Sequence, residues 1–138
     1  MARFNLKMAF IGGLVACAAV SSAVYAQNLN SQILSSLDRG MWELRTSSAG
    51  PSRAAKSRVC VRQNTRLVQI QHGDAPCTHR VLSEKNNRVT VSYSCRGLGQ
   101  GTTVIRKETD GLVQINSQGI RGGAPFNFTV EARRIGGC

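Results

Sequence analysis

Between Arg88 and Cys95 every second side chain is apolar: Val89, Val91, Tyr93 and Cys95 alternate with Thr90, Ser92 and Ser94. Period-two alternation belongs to a strand with one face in a core and the other in water. In a helix the same residues would be scattered around the circumference. The pattern recurs in 41–46, where Trp42 and Leu44 oppose Glu43 and Arg45, and in 54–61, where Ala55, Val59 and Val61 oppose Lys56 and Arg58. It recurs again in 126–135, where Phe126, Phe128, Val130 and Ala132 oppose Asn127, Thr129 and Glu131. Strands are also expected at 77–83, 102–109 and 111–118, the last two meeting at the tight-turn pair Asp110-Gly111. With about seven short strands and no long helix to cover a parallel sheet, a mainly β domain follows. The expected form is an antiparallel meander, strongly curved or barrel-like. Its core would draw on Trp42, Leu44, Val59, Val61, Val89, Val91, Tyr93, Val113, Ile115, Phe126, Phe128 and Val130.

Two short helices interrupt this pattern. Leu29, Ile33 and Leu37 recur at four-residue spacing, which predicts an amphipathic helix over 29–37 with Asn28 as N-cap and Gly40 at its end. Leu67, Val68 and Ile70 fit a second one within 63–71, capped by Asn64. Neither is long enough to be stable unless it docks.

Four cysteines, Cys60, Cys77, Cys95 and Cys138, fall in the β region, and a fifth, Cys17, lies in an apolar N-terminal stretch. An even set at wide spacing reads as two disulfides in an oxidising compartment. A hairpin centred on Asn86 sets Cys77 opposite Cys95, within disulfide reach. That pairing would leave Cys60 for Cys138, and the sequence leaves the other two pairings open. With one tryptophan and four phenylalanines in the whole chain, the core is modest. Two disulfides worth about 2–4 kcal/mol each then form a large share of the net stability.

Residues 1–26 read as an export signal: Arg3 and Lys7, an uncharged run from Met8 to Val20, then Val24-Tyr25-Ala26 as a cleavage pattern. Leu14-Val15-Ala16-Cys17 offers an alternative, a bacterial lipoprotein site at which Cys17 would carry the anchor. Both readings take the chain out of the cytoplasm, periplasmic or secreted in the first case. The organisation is then a leader over 1–26, a short helical segment over 27–39 and a disulfide-stapled domain over 40–138.

Of the 18 basic residues only Arg3 and Lys7 precede position 27, and all seven acids follow it, so the domain is strongly basic. Arginine dominates, which favours paired hydrogen bonds to phosphate or carboxylate. Six basic residues without one acid lie between Leu44 and Gly73. Of these Arg53, Lys56, Arg58, Arg62 and Arg66 form a candidate anion-binding stripe, suited to an anionic envelope lipid or another polyanion. Nucleic acid is not favoured, because the stretch lacks aromatic stacking platforms.

Other chemistry is weakly represented. His72, Cys77 and His79 are too few for a structural zinc site, and the two histidines read as exposed loop residues. No cofactor is implied. Glu43, Glu84, Glu108 and Glu131 sit at surface positions of strands, and no nucleophile elbow occurs. Gly97, Gly99 and Gly101 precede a strand rather than a helix, so they read as a flexible hairpin connection and not a phosphate loop.

The order of motifs is familiar. Gly40-Met41-Trp42-Glu43 opens the domain, Val59-Cys60 and Cys77-Thr78 follow, a strand ends at Cys95, and Arg133-Arg134-Ile135-Gly136-Gly137-Cys138 closes it. Over 40–138 this resembles the small exported Gram-negative proteins grouped as Domain of Unknown Function 3617. The resemblance implies a mainly β, cysteine-paired fold and brings no activity with it. Two functions are therefore carried forward. One is a non-enzymatic periplasmic or envelope-associated binding protein, using the basic stripe for an anion or the sheet's concavity for a small apolar ligand. The other is a secreted enzyme or enzyme inhibitor with a site assembled from scattered residues.

Overall fold

The computed structural model describes residues 29–47 and 55–138. The leader, Cys17, Asn28 and Arg53 lie outside the described residues. Each alternating segment forms a strand: β1 (Gly40–Ser47), β2 (Ala55–Val61), β3 (Cys77–Lys85), β4 (Arg88–Cys95), β5 (Gly99–Thr109), β6 (Leu112–Arg121) and β7 (Ala124–Gly136). They build one antiparallel sheet in the order β2-β1-β7-β6-β5-β4-β3. Strands β3 to β7 are a plain meander, and β1 joins it by pairing with β7. The sheet is open. β2 and β3 are its two edges, with no ladder between them, so the barrel-like alternative does not hold.

Closure is unnecessary because two short helices cover the apolar face. Helix α1 (Gln32–Ser36) is shorter than its periodicity predicts and starts at Ser31, whose hydroxyl accepts the Leu34 N–H at 3.1 Å. It ends before Leu37, leaving Gly40 to open β1 instead. Helix α2 (Thr65–Val68) runs into a 3-10 turn, Ile70–His72. Asn64 precedes α2 but does not cap it; its side-chain amide donates to the Leu34 and Leu37 carbonyls and so ties the two helices together. Ile33, Leu34, Leu37, Leu67 and Val68 pack on Trp42, Val89, Val91, Ile105, Val113 and Ile115 in one core. Val59, Phe126 and Phe128 are only partly buried at its margin.

The β3–β4 hairpin reaches the expected cysteine pair by a different route. Its turn is Asn86-Asn87, with Lys85 opposite Arg88. Asn86 takes φ 56, a conformation asparagine tolerates better than most residues. Carried on regularly, that register would set Cys77 against Arg96. A bulge between Val81 and Ser83 inserts Leu82 and moves the register by one, so Cys77 faces Cys95. Disulfides join Cys77 to Cys95 and Cys60 to Cys138, with Cα separations of 4.1 and 5.7 Å.

Candidate functional site

The path from β2 to β3 defines the most distinctive surface. These strands are opposite edges of the sheet, so the chain between them must cross the covered face. It does so through α2, the 3-10 turn and the Gly73–Pro76 loop, which span the opening that a closed barrel would have sealed. A cleft of about 720 Å³ lies along this crossing, between Arg58, Val59 and Cys60 on one wall and Cys77 and His79 on the other. Both walls carry one member of a disulfide.

Three arginines reach this cleft: Arg58, Arg62 and Arg66. Arg66 is held by Asp74 at 3.0 Å, and Asp74 is the one acid that lines the cleft. Arg62 and Arg58 make no ion pair within 4 Å among the described residues. The candidate stripe is thus divided. Lys56 and Arg58 project from the solvent face of β2, opposite Arg45 and Glu43 on β1. The hydrogen bond from Arg45 holds the Glu43 carboxyl below the usual carboxylate range, and the charges of Lys56 and Arg58 add to the effect. Arg62 and Arg66 belong instead to the crossing segment. Arg58 alone, at the sheet edge, reaches from one group to the other.

The crossing is anchored by side chains that sequence reasoning places at the surface. His72 is only 7% exposed. In register across four strands stand Tyr93, Gly101, Gly119 and Phe126. The two glycines let those rings lie down on the sheet, Tyr93 over Gly101 and Phe126 over Gly119, and His72 packs edge-on against both, with ring centroids 5.4 Å from Tyr93 and 5.9 Å from Phe126. A Cβ at Gly101 would lie 2.6 Å from the Tyr93 hydroxyl, and one at Gly119 would lie 2.1 Å from the Gln100 carbonyl oxygen. Gly99 and Gly101 therefore belong to strand β5 rather than to a flexible connection. The close approach of the two rings to the sheet was signalled only by glycines at alternating positions in a strand.

Gln69 organises the loop beside it. Its side-chain N–H groups donate to the Gly73 and Ala75 carbonyls, both at 2.8 Å, and its oxygen accepts from His79 Nε2 at 2.7 Å. An amide oxygen only accepts, so His79 carries its proton on Nε2. Burial holds the His79 imidazole below the ordinary histidine range. The stability this gives is complete above the ordinary histidine value and is lost as pH falls through the lower folded-state value. Thermal midpoints should therefore fall between about pH 7 and pH 5, and His79→Gln should flatten that slope. An unchanged slope in the variant would show that His79 does not contribute.

Cys77 is consumed by its disulfide, and no group of three metal-ligating side chains forms among the described residues. His72 Nδ1 meets the Tyr93 hydroxyl at 3.2 Å. The four glutamates are dispersed: Glu43 and Glu131 face solvent on neighbouring strands, Glu108 pairs with Arg106, and Glu84 accepts the Ile33 N–H at the start of α1. Trp42 does not line an opening. It is 0% exposed beneath the helices, and its indole N–H donates to the Asp38 carbonyl at 3.0 Å.

The opening and closing motifs of the domain meet in space. Met41 faces Gly136 and Trp42 faces Arg134 across the β1–β7 ladder, while Arg134 Nε donates to the Arg39 carbonyl at 2.8 Å. Gly40 sits at φ +140, where a Cβ would lie 2.2 Å from the Gly136 carbonyl oxygen. No curated protein and no solved structure matches the chain. A family model described as protein of unknown function (DUF3617) matches residues 37–138, both motifs included, and the chain belongs to that family.

Proposed function

We propose that this is an exported, non-enzymatic binding protein of the bacterial envelope, which holds an anionic group in the cleft between the two sheet edges. The observation that carries the reading is the lining of that cleft: three arginines against one acid, with that acid already engaged by Arg66. A phosphate or sulfate there would meet Arg58 and Arg62 without first displacing a carboxylate from them. Guanidinium groups recognise such oxygens through paired hydrogen bonds. The disulfides at both walls suit this role, since a site held rigid loses less entropy on binding. They also fit export, because such bonds persist in oxidising compartments. Among the described residues no helix is long and apolar enough to cross a membrane.

Heparin serves as the polyanion probe. Retention of the protein on immobilised heparin should fall sharply when Arg58, Arg62 and Arg66 become alanine. A control variant removes the same charge from the solvent face of the sheet, at Arg88, Arg106 and Arg133, and should be retained nearly as well as the parent. Equal losses in the two variants would reduce the effect to net charge and overturn the assignment to the cleft.

A further inference from the structure

One end of the sheet, away from every acid of the chain but Asp74, combines exposed aliphatic side chains with unpaired arginines. It consists of the β4–β5 turn around Gly97 and the β6–β7 turn at Gly122-Gly123. The Gly122 N–H donates to the Leu98 carbonyl at 2.9 Å, so the two turns form one unit. Leu98 is 49% exposed and Ile120 is 43% exposed, two of the four large hydrophobic residues so exposed among the described residues. Pro125 stands opposite Ile120 in register and is also exposed. Arg96 and Arg121 flank the pair in sequence, both exposed and neither within 4 Å of a carboxylate among the described residues.

All acids but Asp74 are elsewhere. Asp38, Glu84, Glu108 and Asp110 lie towards the opposite end of the sheet, beside the β3–β4 and β5–β6 turns or the start of β1. Glu43 and Glu131 face arginines on the solvent face, and Asp74 is held by Arg66. The tip therefore presents a small apolar wedge between two guanidinium groups that no carboxylate pairs, the one acid near this end, Asp74, being held by Arg66.

We propose that this tip docks on the surface of an anionic phospholipid bilayer. Leu98 and Ile120 would enter the boundary between headgroups and acyl chains, while Arg96 and Arg121 meet lipid phosphates at the level where their heads remain hydrated. Charge complementarity selects this partner, since an anionic leaflet attracts exposed basic residues placed close to it. Two aliphatic side chains and a proline give too little apolar area for the core of a stable protein interface. They suffice for reversible membrane contact when charge assists. The inference uses no residue of the cleft and stands or falls apart from it.

Sedimentation with phosphatidylglycerol–phosphatidylcholine vesicles, against pure phosphatidylcholine, tests the proposal on the full chain. Arg96→Ala with Arg121→Ala should weaken binding to the anionic vesicles about thirty-fold. Leu98→Asp with Ile120→Asp should weaken it about tenfold or more. Arg58, Arg62 and Arg66 changed to alanine should leave the tip's contribution in place. Because the apolar run of Met8 to Val20 has its own affinity for lipid, a local probe decides. Leu98→Trp should show blue-shifted emission on anionic vesicles and quenching by brominated lipid, against a constant background from the buried Trp42. Vesicle binding without a shift or quenching of that probe would overturn the proposal. So would self-association through the tip with no lipid response.

Discussion

Removing the Cys60–Cys138 disulfide by paired alanine substitutions is expected to lower the unfolding free energy by about 4.5 kcal/mol. The bond closes a loop of 78 residues, and the chain entropy it withdraws from the unfolded state grows with that length. The same reasoning gives about 3 kcal/mol for Cys77–Cys95, which closes a loop of 18 residues. Alanine is preferred to serine because Cys95 is almost fully buried and a hydroxyl there would lack a partner. Urea denaturation of the two double variants measures the difference directly. If the hairpin disulfide proved the more stabilising of the two, loop closure would not be the main source of either contribution. Anchoring of edge strand β3, which pairs on one side only, would then take its place.

Trp42→Ala should cost about 3–5 kcal/mol, the range for deleting a fully buried large aromatic side chain. Trp42 lies in the strand that joins β2 to the meander, so its loss opens a void under both helices. Trp42→Phe refills most of that volume but leaves the Asp38 carbonyl without its indole donor, at a cost of about 1–2 kcal/mol. Thermal or urea unfolding of both variants separates packing from the hydrogen bond. Equal losses in the two would mean that the hydrogen bond, not the volume, accounts for the effect.

The strands were legible because one face of each packs on the core and the other meets water. Alternation in 88–95 and 126–135 therefore survives as written in the sequence. The cysteine pairing was legible as well, although for an incomplete reason. A symmetric hairpin about Asn86 has the same outcome as a two-residue turn plus one bulge, and only the three-dimensional register distinguishes them. What stayed hidden depends on contacts between distant segments. Asn64 looks like a helix cap, but the hydrogen bonds from its side-chain NH2 to the Leu34 and Leu37 carbonyls fix the amide in an orientation in which its oxygen meets no N–H of α2. His72 looks like a loop histidine because nothing local reveals the Tyr93 and Phe126 rings against which it packs. The basic stripe reads as continuous, yet β2 ends at Val61 and the chain turns across the sheet there, which separates Lys56 from Arg62 and Arg66. Arg53 falls outside the described residues, so its part in the stripe rests on sequence alone.

The small irregularity at Leu82 also bears on the order in which the bonds are made. The two disulfides are nested, with Cys77–Cys95 inside the span of Cys60–Cys138. Cys60 lies much nearer in sequence to Cys77 than to its native partner, and short loops close at lower entropic cost. On loop length alone a Cys60–Cys77 bond competes on nearly equal terms with Cys77–Cys95, whose separation is 18, and once formed it has to be undone by thiolate attack on one of its sulfurs, through a mixed-disulfide intermediate. A local hairpin forms in microseconds, far faster than thiol oxidation. Once the bulge has set Cys77 against Cys95, those thiols are taken and Cys60 is left free for Cys138. A single inserted residue thereby steers the oxidation pathway as well as the register.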